Sequence, residues 1–290
     1  MGKPTFYING QFVEEHEASI SIMDHGFLYG DGIFDAFRAY KGRIFQFDEH
    51  MDRLYESAKI IDLNIPLSKE EFKNVIKETI RKSGFQDCYI RPQVTRGIGL
   101  MGCDPGSCAK STVVVYVIPP PGMKKERSIR IIISSYQRPS ACILPGSSKM
   151  TQYINLILAR MEAKARGVDD ALLLDTRGFV SEGPGWNIFL VKGRTVVTPS
   201  LASSILVGIT RNVLIRLFKE SNYSVEERDV IVSELYTADE IFGTGTGTEI
   251  TPVIEVNGRK IGEGKPGPVT DEMDEKFREF KKDNGTPVYE

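Results

Sequence analysis

Gly146-Ser147-Ser148-Lys149-Met150-Thr151-Gln152-Tyr153-Ile154-Asn155 is the stretch on which the reading of this chain turns. A Pro-bounded loop, Arg138-Pro139 to Leu144-Pro145, leads into it, and an amphipathic helix leads out. That helix carries apolar residues at Ile154, Ile157, Leu158, Met161 and Ala165, and Gly167 stops it. Lys149 stands just before the helix start, behind a flexible Gly-Ser-Ser. In a partly desolvated pocket a lysine gives up its proton more readily and becomes a nucleophilic amine. A lysine ahead of a helix is ordinarily a solvated surface group, so the flanking sequence has to decide its role.

The whole chain sets the bounds. Its 290 residues suit one large or two smaller domains with a sizeable core. With 41% hydrophobic and 26% charged residues it reads as an ordinary globular protein. A net charge of −2 leaves no polybasic footprint for nucleic acid or an anionic membrane. No apolar run approaches the ~20 residues of a membrane span. Met1-Gly2-Lys3-Pro4 leads straight into a strand-like segment with no signal peptide in view, which predicts a cytoplasmic protein. Cys88, Cys103, Cys108 and Cys142 match no zinc spacing and are expected to be reduced thiols. The only histidines are His16, His25 and His50, which argues against a His-based triad or a multi-His metal site, so no metal is expected.

Upstream of the lysine, Thr5 to Val13 predicts a hairpin around Asn9-Gly10. Asp24 to Tyr40 packs three glycines among aromatics, the composition of a pocket wall or a Gly-punctuated sheet edge. A helix is predicted from about Glu49 to Ile61, with Arg53 one turn from His50. Ser68 and Glu71 form a capping box for a helix to Ser83, closed by Gly84. Cys88 to Arg96 and Ser111 to Ile118 read as strands around a glycine-rich loop long enough to be functional. Pro119-Pro120-Pro121-Gly122 and the charged Lys124-Lys125-Glu126-Arg127 mark a domain boundary.

Downstream, Ala171 to Asp175 and Asn187 to Val191 read as strands of a hairpin, with Glu182 beside the Gly183-Pro184-Gly185 bend. A buried glutamate there would require a cationic partner. Gly208-Ile209-Thr210-Arg211 opens a helix whose residues run from Asn212 to Glu220, with Thr210 as the expected cap. Free N–H groups at such an end suit an anion. Gly243-Thr244-Gly245-Thr246-Gly247-Thr248 follows a strand and can wrap amides and hydroxyls around a phosphate or carboxylate. Because no helix follows it, this is not a dinucleotide-binding fingerprint.

A poised lysine, an acid at a bend, a helix N-terminus and a Gly-Thr loop together match the needs of pyridoxal phosphate. With these residues the chain resembles the fold-type IV (class IV) pyridoxal-phosphate enzymes, most closely the branched-chain amino acid aminotransferases. The resemblance runs from about Phe6 to Thr270. Its segments stand in the family's order: Tyr29 to Phe34, Glu49 to Leu54, Tyr89 to Pro92, Lys149 to Tyr153, Ser181 to Gly183, Gly208 to Arg211 and Gly245 to Pro252.

The resemblance implies roles position by position. Lys149 resembles the catalytic, Schiff-base lysine and Glu182 the partner of the pyridine nitrogen. Tyr153 resembles the residue bonded to the ring hydroxyl oxygen. Arg53, Gly208, Ile209, Thr210, Gly245 and Thr246 fall where the family holds the phosphate. Tyr29, Phe34, Ala36, Tyr89 and Arg91 fall where it shapes the substrate pocket, and Gly247 and Thr248 where it holds the substrate carboxylate. The implied activity is ping-pong transamination of branched-chain L-amino acids with 2-oxoglutarate, in a homodimer or higher homo-oligomer. The implied fold is α/β (α+β) with two domains: a smaller N-terminal one over 1–118, a linker over 119–127, and a larger one of sheet, or pseudo-barrel, plus helices over 128–290.

The chain departs from the pattern at three places. Phe34-Asp35-Ala36 stands where the family usually reads Phe-Glu-Gly, Gly247 and Thr248 stand where it usually has alanines, and Met150-Thr151-Gln152 follows the lysine where Ser-Leu-Asn is common. These changes bear on the substrate, so a D-amino acid or (R)-amine transaminase of the same fold competes with the branched-chain reading. Retained Tyr89 and Arg91 favour the latter. Aminodeoxychorismate lyase and a binding protein that has lost catalysis are the further alternatives, and intact Lys149 argues against the last.

Overall fold

Two-residue turns that need left-handed backbone close the first hairpins. Asn9 (φ 47°) and Gly10 (φ 99°) join β1 (Thr5–Ile8) to β2 (Gln11–Val13), a geometry that matches strand twist. The computed structural model describes residues 2–120 and 128–289. A short helix follows, α1 (His25–Tyr29), capped by the Asp24 side chain and ended by left-handed Gly30. Next come β3 (Gly32–Phe34), β4 (Phe37–Tyr40), β5 (Arg43–Phe45) and α2 (Phe47–Ile60). The capping box at Ser68 and Glu71 starts α3 (Lys69–Ser83), and left-handed Gly84 ends it, as expected. Then follow β6 (Cys88–Thr95) and β7 (Thr112–Ile118).

Beyond residue 128 the chain continues through β8 (Ile129–Gln137), α4 (Ile154–Ala165), β9 (Asp170–Leu174), β10 (Asn187–Lys192) and β11 (Thr195–Pro199). It goes on through α5 (Ile209–Glu220), β12 (Ser224–Arg228), α6 (Val232–Thr237), β13 (Glu240–Gly245) and β14 (Glu249–Val256). The last elements are β15 (Arg259–Lys260), α7 (Pro268–Asp283) and β16 (Gly285–Pro287). The mixed α/β class matches the expectation. Among the described residues no helix is long and apolar enough to cross a membrane.

The chain divides into two units. One comprises Met1–Met123, Ser148–Gln152 and Lys281–Glu290, the other Lys124–Ser147 and Tyr153–Phe280. The first holds a sheet in the order β16-β5-β4-β6-β7-β1-β2, with β3 paired to β6. Its core gathers Phe37, Ile44, Met51, Leu54, Phe72 and Val115. The second holds a sheet in the order β12-β11-β10-β13-β14-β8-β9, with β15 paired to β14. Its core centres on Trp186, Ile188, Leu190 and Val253.

This division differs from the single linear cut drawn from the sequence. Ser148–Gln152 and the C-terminal tail group with the first unit rather than with 128–290. Backbone pairing is the reason: Phe34 N donates to Lys149 O, Thr151 N donates to Gly32 O, and β16 pairs with β5. The junction expected at 119–127 lies outside the described residues from 121 to 127.

The helix after Lys149 also presents a different face from the one its pattern suggested. Leu156, Ala159 and Ala163 are buried against Ile132, Ala171 and Leu173, while Ile154, Ile157 and Met161 are exposed. A helix with apolar residues on two sides leaves the choice of face to its neighbours. Here the small alanines let it lie close to β8 and β9.

Candidate active site

Lys149 sits half-buried in the first unit on the segment tied to β3. Its amide donates to Ser57 Oγ (3.0 Å) on α2, and its carbonyl accepts from the Phe34 amide (3.0 Å). Main-chain anchoring of this kind holds the Cα while leaving the long side chain to act. Lys149 Nζ lies 4.8 Å from the centroid of the Phe34 ring, and Arg91 Cζ lies 3.8 Å from the same centroid. Ser148 Oγ, next to the lysine, is buried with no hydrogen-bond partner among the described residues.

β6 explains why several of the residues expected around the substrate share one face. Alternation points Tyr89, Arg91 and Gln93 to the same half-buried side, and Gln93 pairs with Phe34 across the strands. Arg91 donates to Gln93 Oε1 through Nε (3.3 Å) and Nη2 (3.1 Å). Tyr29 is partly exposed, its hydroxyl accepting from the Gly102 amide (2.7 Å). Ala36 is buried, and its amide donates to Asp35 Oδ1.

Arg53 is no surface arginine. It is only 7% exposed and pairs with Asp35 through Nε to Oδ2 and Nη2 to Oδ1, both 2.8 Å. His50, one turn earlier on α2, is 2.8 Å from Asp35 Oδ1 through Nδ1. Burial alone would raise the Asp35 carboxyl, but the Arg53 guanidinium beside it overcomes that and holds it well below the usual carboxylate range. Burial pushes the His50 imidazole down, against the pull of Asp35, and because a carboxylate oxygen only accepts, Nδ1 is the donor in this contact. Asp35 therefore faces the core and Arg53. The departure noted at this position belongs to the arginine's support and not to a substrate wall.

The second unit assembles the acid and the anion-binding groups. Glu182, 5% exposed, follows β9 at the start of the Gly-Pro-Gly bend. Its Oε2 accepts from Asn187 Nδ2 and the Leu206 amide, each at 3.0 Å, and Arg138 Nη2 lies 3.1 Å from Oε1. Arg138 is the cation that a buried glutamate at this bend requires. Asn187 closes the frame by also donating to Leu206 O (3.0 Å).

The α5 helix begins at Ile209, with Gly208 as its N-cap, so Thr210 lies inside the first turn and not at the cap. Gly208, lacking a side chain, offers no side-chain cap to this end. A Cβ at Gly208 would meet Asn187 Oδ1 at 2.0 Å, so only glycine lets the helix start against the glutamate's frame. Gly245 ends β13, and Thr246-Gly247-Thr248 forms its turn into β14. Thr244 Oγ1, two residues before Thr246, is buried without a hydrogen-bond partner among the described residues. Tyr153 is half-buried at the start of α4, where its carbonyl accepts from the Ile157 amide.

The first unit thus groups Lys149, Arg53, Tyr29, Phe34, Ala36, Tyr89 and Arg91, and the second groups Tyr153, Glu182, Gly208, Ile209, Thr210 and Gly245 to Thr248. Each unit by itself carries groups suited to a phosphorylated pyridoxal: in the first a braced guanidinium and the Ser148 hydroxyl, in the second an uncapped helix start, the Thr244 hydroxyl and a fixed carboxylate, both hydroxyls buried without a partner among the described residues. Sequence reasoning missed Asp35, Arg138, Asn187 and Ser57. Asp35 was visible only as a departure from a pattern and Arg138 only as the edge of a proline-bounded loop. Neither carried a signal that it would be buried against an opposite charge.

Comparison with known proteins places the chain as a whole. The amino-transferase class IV family model matches residues 32–256. A protein of Methanocaldococcus jannaschii, named provisionally as a branched-chain-amino-acid aminotransferase, is 46% identical over 284 residues, 98% of this chain and 99% of that one. The crystal structure of the Escherichia coli branched-chain amino acid aminotransferase superposes with a TM-score of 0.93 at 33% identity, covering 97% of this chain and 95% of that chain. A second branched-chain amino acid aminotransferase, its source abbreviated T.th., is complexed with N-(5'-phosphopyridoxyl)-L-glutamate and gives 0.91 at 38% identity, covering 96% of this chain and 93% of that chain.

Proposed function

The chain belongs to the amino-transferase class IV family, and from that premise we propose that it moves amino groups from L-leucine, L-isoleucine and L-valine to 2-oxoglutarate with pyridoxal 5'-phosphate. Near-full-length similarity to branched-chain-amino-acid aminotransferases carries the substrate class. The phosphopyridoxyl-glutamate in the second of the two related crystal structures supports the cofactor and the glutamate side of the exchange.

When bound, the cofactor supplies an aldehyde and a ring that accepts electrons. Lys149 Nζ would hold the aldehyde, and its free amine would take the proton from the donor's Cα. Glu182 keeps the ring nitrogen protonated. Its burial against Arg138, Asn187 and the Leu206 amide supports that role, because a fixed carboxylate is spared reorganisation during reaction. Tyr153 hydrogen-bonds the ring hydroxyl oxygen. Arg53, Gly208, Ile209, Thr210, Gly245 and Thr246 hold the phosphate, a role supported by the uncapped start of α5. Tyr29, Phe34, Ala36, Tyr89 and Arg91 shape the pocket for the donor's side chain, while Gly247 and Thr248 hold its carboxylate. Each substrate enters and leaves before the next, which is ping-pong kinetics.

The same reading takes the enzyme to be a cytoplasmic homodimer. Ile154, Ile157 and Met161 on α4, and Ile98, Leu100 and Met101 in the loop between β6 and β7, expose apolar surface of the kind that self-association covers.

The test is an absorbance titration of the loaded protein with L-leucine, D-alanine and (R)-1-phenylethylamine, each alone. Loss of the visible band with L-leucine only is the expected result. Response to D-alanine or the amine alone would transfer the function to a D-amino acid or (R)-amine transaminase. Pyruvate release without an amino acceptor would indicate a lyase.

A further inference from the structure

Asp35 is fully buried, yet it accepts four hydrogen bonds: the Ala36 amide (2.7 Å), His50 Nδ1 (2.8 Å), Arg53 Nη2 (2.8 Å) and Arg53 Nε (2.8 Å). His50 is equally enclosed, its ring 5.1 Å from that of Phe37. The Asp35 amide donates to Pro92 O (3.0 Å), so the carboxylate hangs from a pinned backbone. One residue earlier, the Phe34 amide donates to Lys149 O (3.0 Å). The break between β3 and β4 therefore anchors the lysine segment through Phe34 and the arginine through Asp35.

We infer that Asp35 and His50 are positioning residues that fix the Arg53 guanidinium for the cofactor's phosphate. The inference rests on the phosphate role given to Arg53 above. A buried ion pair returns little net stability, because desolvation offsets most of its attraction. What the bidentate pairing does provide is geometry. It sets the guanidinium plane and removes the freedom of a long side chain before any anion arrives. His50 completes the frame by fixing the carboxylate's own orientation. The asparagine isostere keeps the shape at residue 35 but turns an NH2 toward a guanidinium, which releases that plane.

The experiment compares apo-enzyme affinity for pyridoxal 5'-phosphate with that for unphosphorylated pyridoxal, by equilibrium titration of the full chain. Both ligands use the same aldehyde, so their ratio isolates the phosphate. Asp35→Asn is expected to lower the ratio by about tenfold or more, the scale of a lost charged hydrogen bond. Asp35→Glu, which restores the carboxylate, recovers most of it. His50→Gln keeps the ion pair and is expected to lower the ratio by about two- to fivefold. That variant decides the matter if Asp35→Asn does not fold. An unchanged ratio in Asp35→Asn or His50→Gln, beside an Arg53→Gln control that loses it, overturns the inference. An unchanged ratio in Arg53→Gln overturns the phosphate role of Arg53 instead. A drop in thermal stability with an unchanged ratio marks the cluster as structural only, and also overturns the inference.

Discussion

Replacing Glu182 by glutamine tests the buried frame on which the acid's role depends. Glutamine keeps the length and one acceptor oxygen but loses the charge and places an NH2 where an acceptor is needed. In the native frame Oε1 faces Arg138 (3.1 Å), and Oε2 faces two donors, Asn187 Nδ2 and the Leu206 amide, at 3.0 Å. Either amide orientation sets donor against donor. Removing one partner of a buried ion pair costs about 3–5 kcal/mol. The Arg138 side chain is 12% exposed, so water relieves part of this, and the retained acceptor relieves more, which leaves about 2–3 kcal/mol. The assay is denaturant unfolding of the apo chain for the parent, Glu182→Gln, Arg138→Met and the double variant. The double variant leaves no orphaned charge, so it should be more stable than the sum of the single effects predicts, by about 1–2 kcal/mol. A Glu182→Gln chain within about 0.5 kcal/mol of the parent, or no coupling between the sites, would refute a buried charge at this position.

Two other expectations follow from the same contacts. Lys149→Ala should abolish transamination and the visible band of the loaded enzyme while changing apo stability by under about 1 kcal/mol, because its anchors to Ser57 and Phe34 are main-chain; near-normal turnover would remove Lys149 from the chemistry. His50 has its folded pKa pushed down, so the unfolded chain takes up the proton first. Its contribution is complete above the unfolded value of ~6.5 and is lost as pH falls below it, followed below ~3.9 by that of Asp35, whose folded value is also depressed. Unfolding free energies measured from pH 8 to 5 should fall toward acid in the parent and flatten in His50→Gln. A parallel slope in the two would show that His50 titrates normally.

The sequence determined what depends on neighbours along the chain. The Ser68–Glu71 box and Gly84 bound α3 because a cap is satisfied within one turn of helix. Asn9-Gly10 closes a hairpin because asparagine and glycine tolerate left-handed backbone at two successive residues. The order of the lysine, the bend glutamate, the Gly-Ile-Thr helix start and the Gly-Thr turn was legible for the same reason. Each is a short local signal, and their succession is that of the family.

Tertiary structure decided everything that requires distant residues to meet. The apolar side of α4 that is buried was chosen by β8 and β9, which admit Ala159 and Ala163 and leave Ile154 outside. Nothing near Glu182 in sequence supplies its cation, since Arg138 lies forty-four positions away and only the fold brings it to 3.1 Å. Arg53 reads as a helix-surface residue until β3 and α2 set Asp35 beside it. Buried charges are the least local feature of a chain, because the desolvation that makes them costly and the partner that makes them tolerable both come from packing.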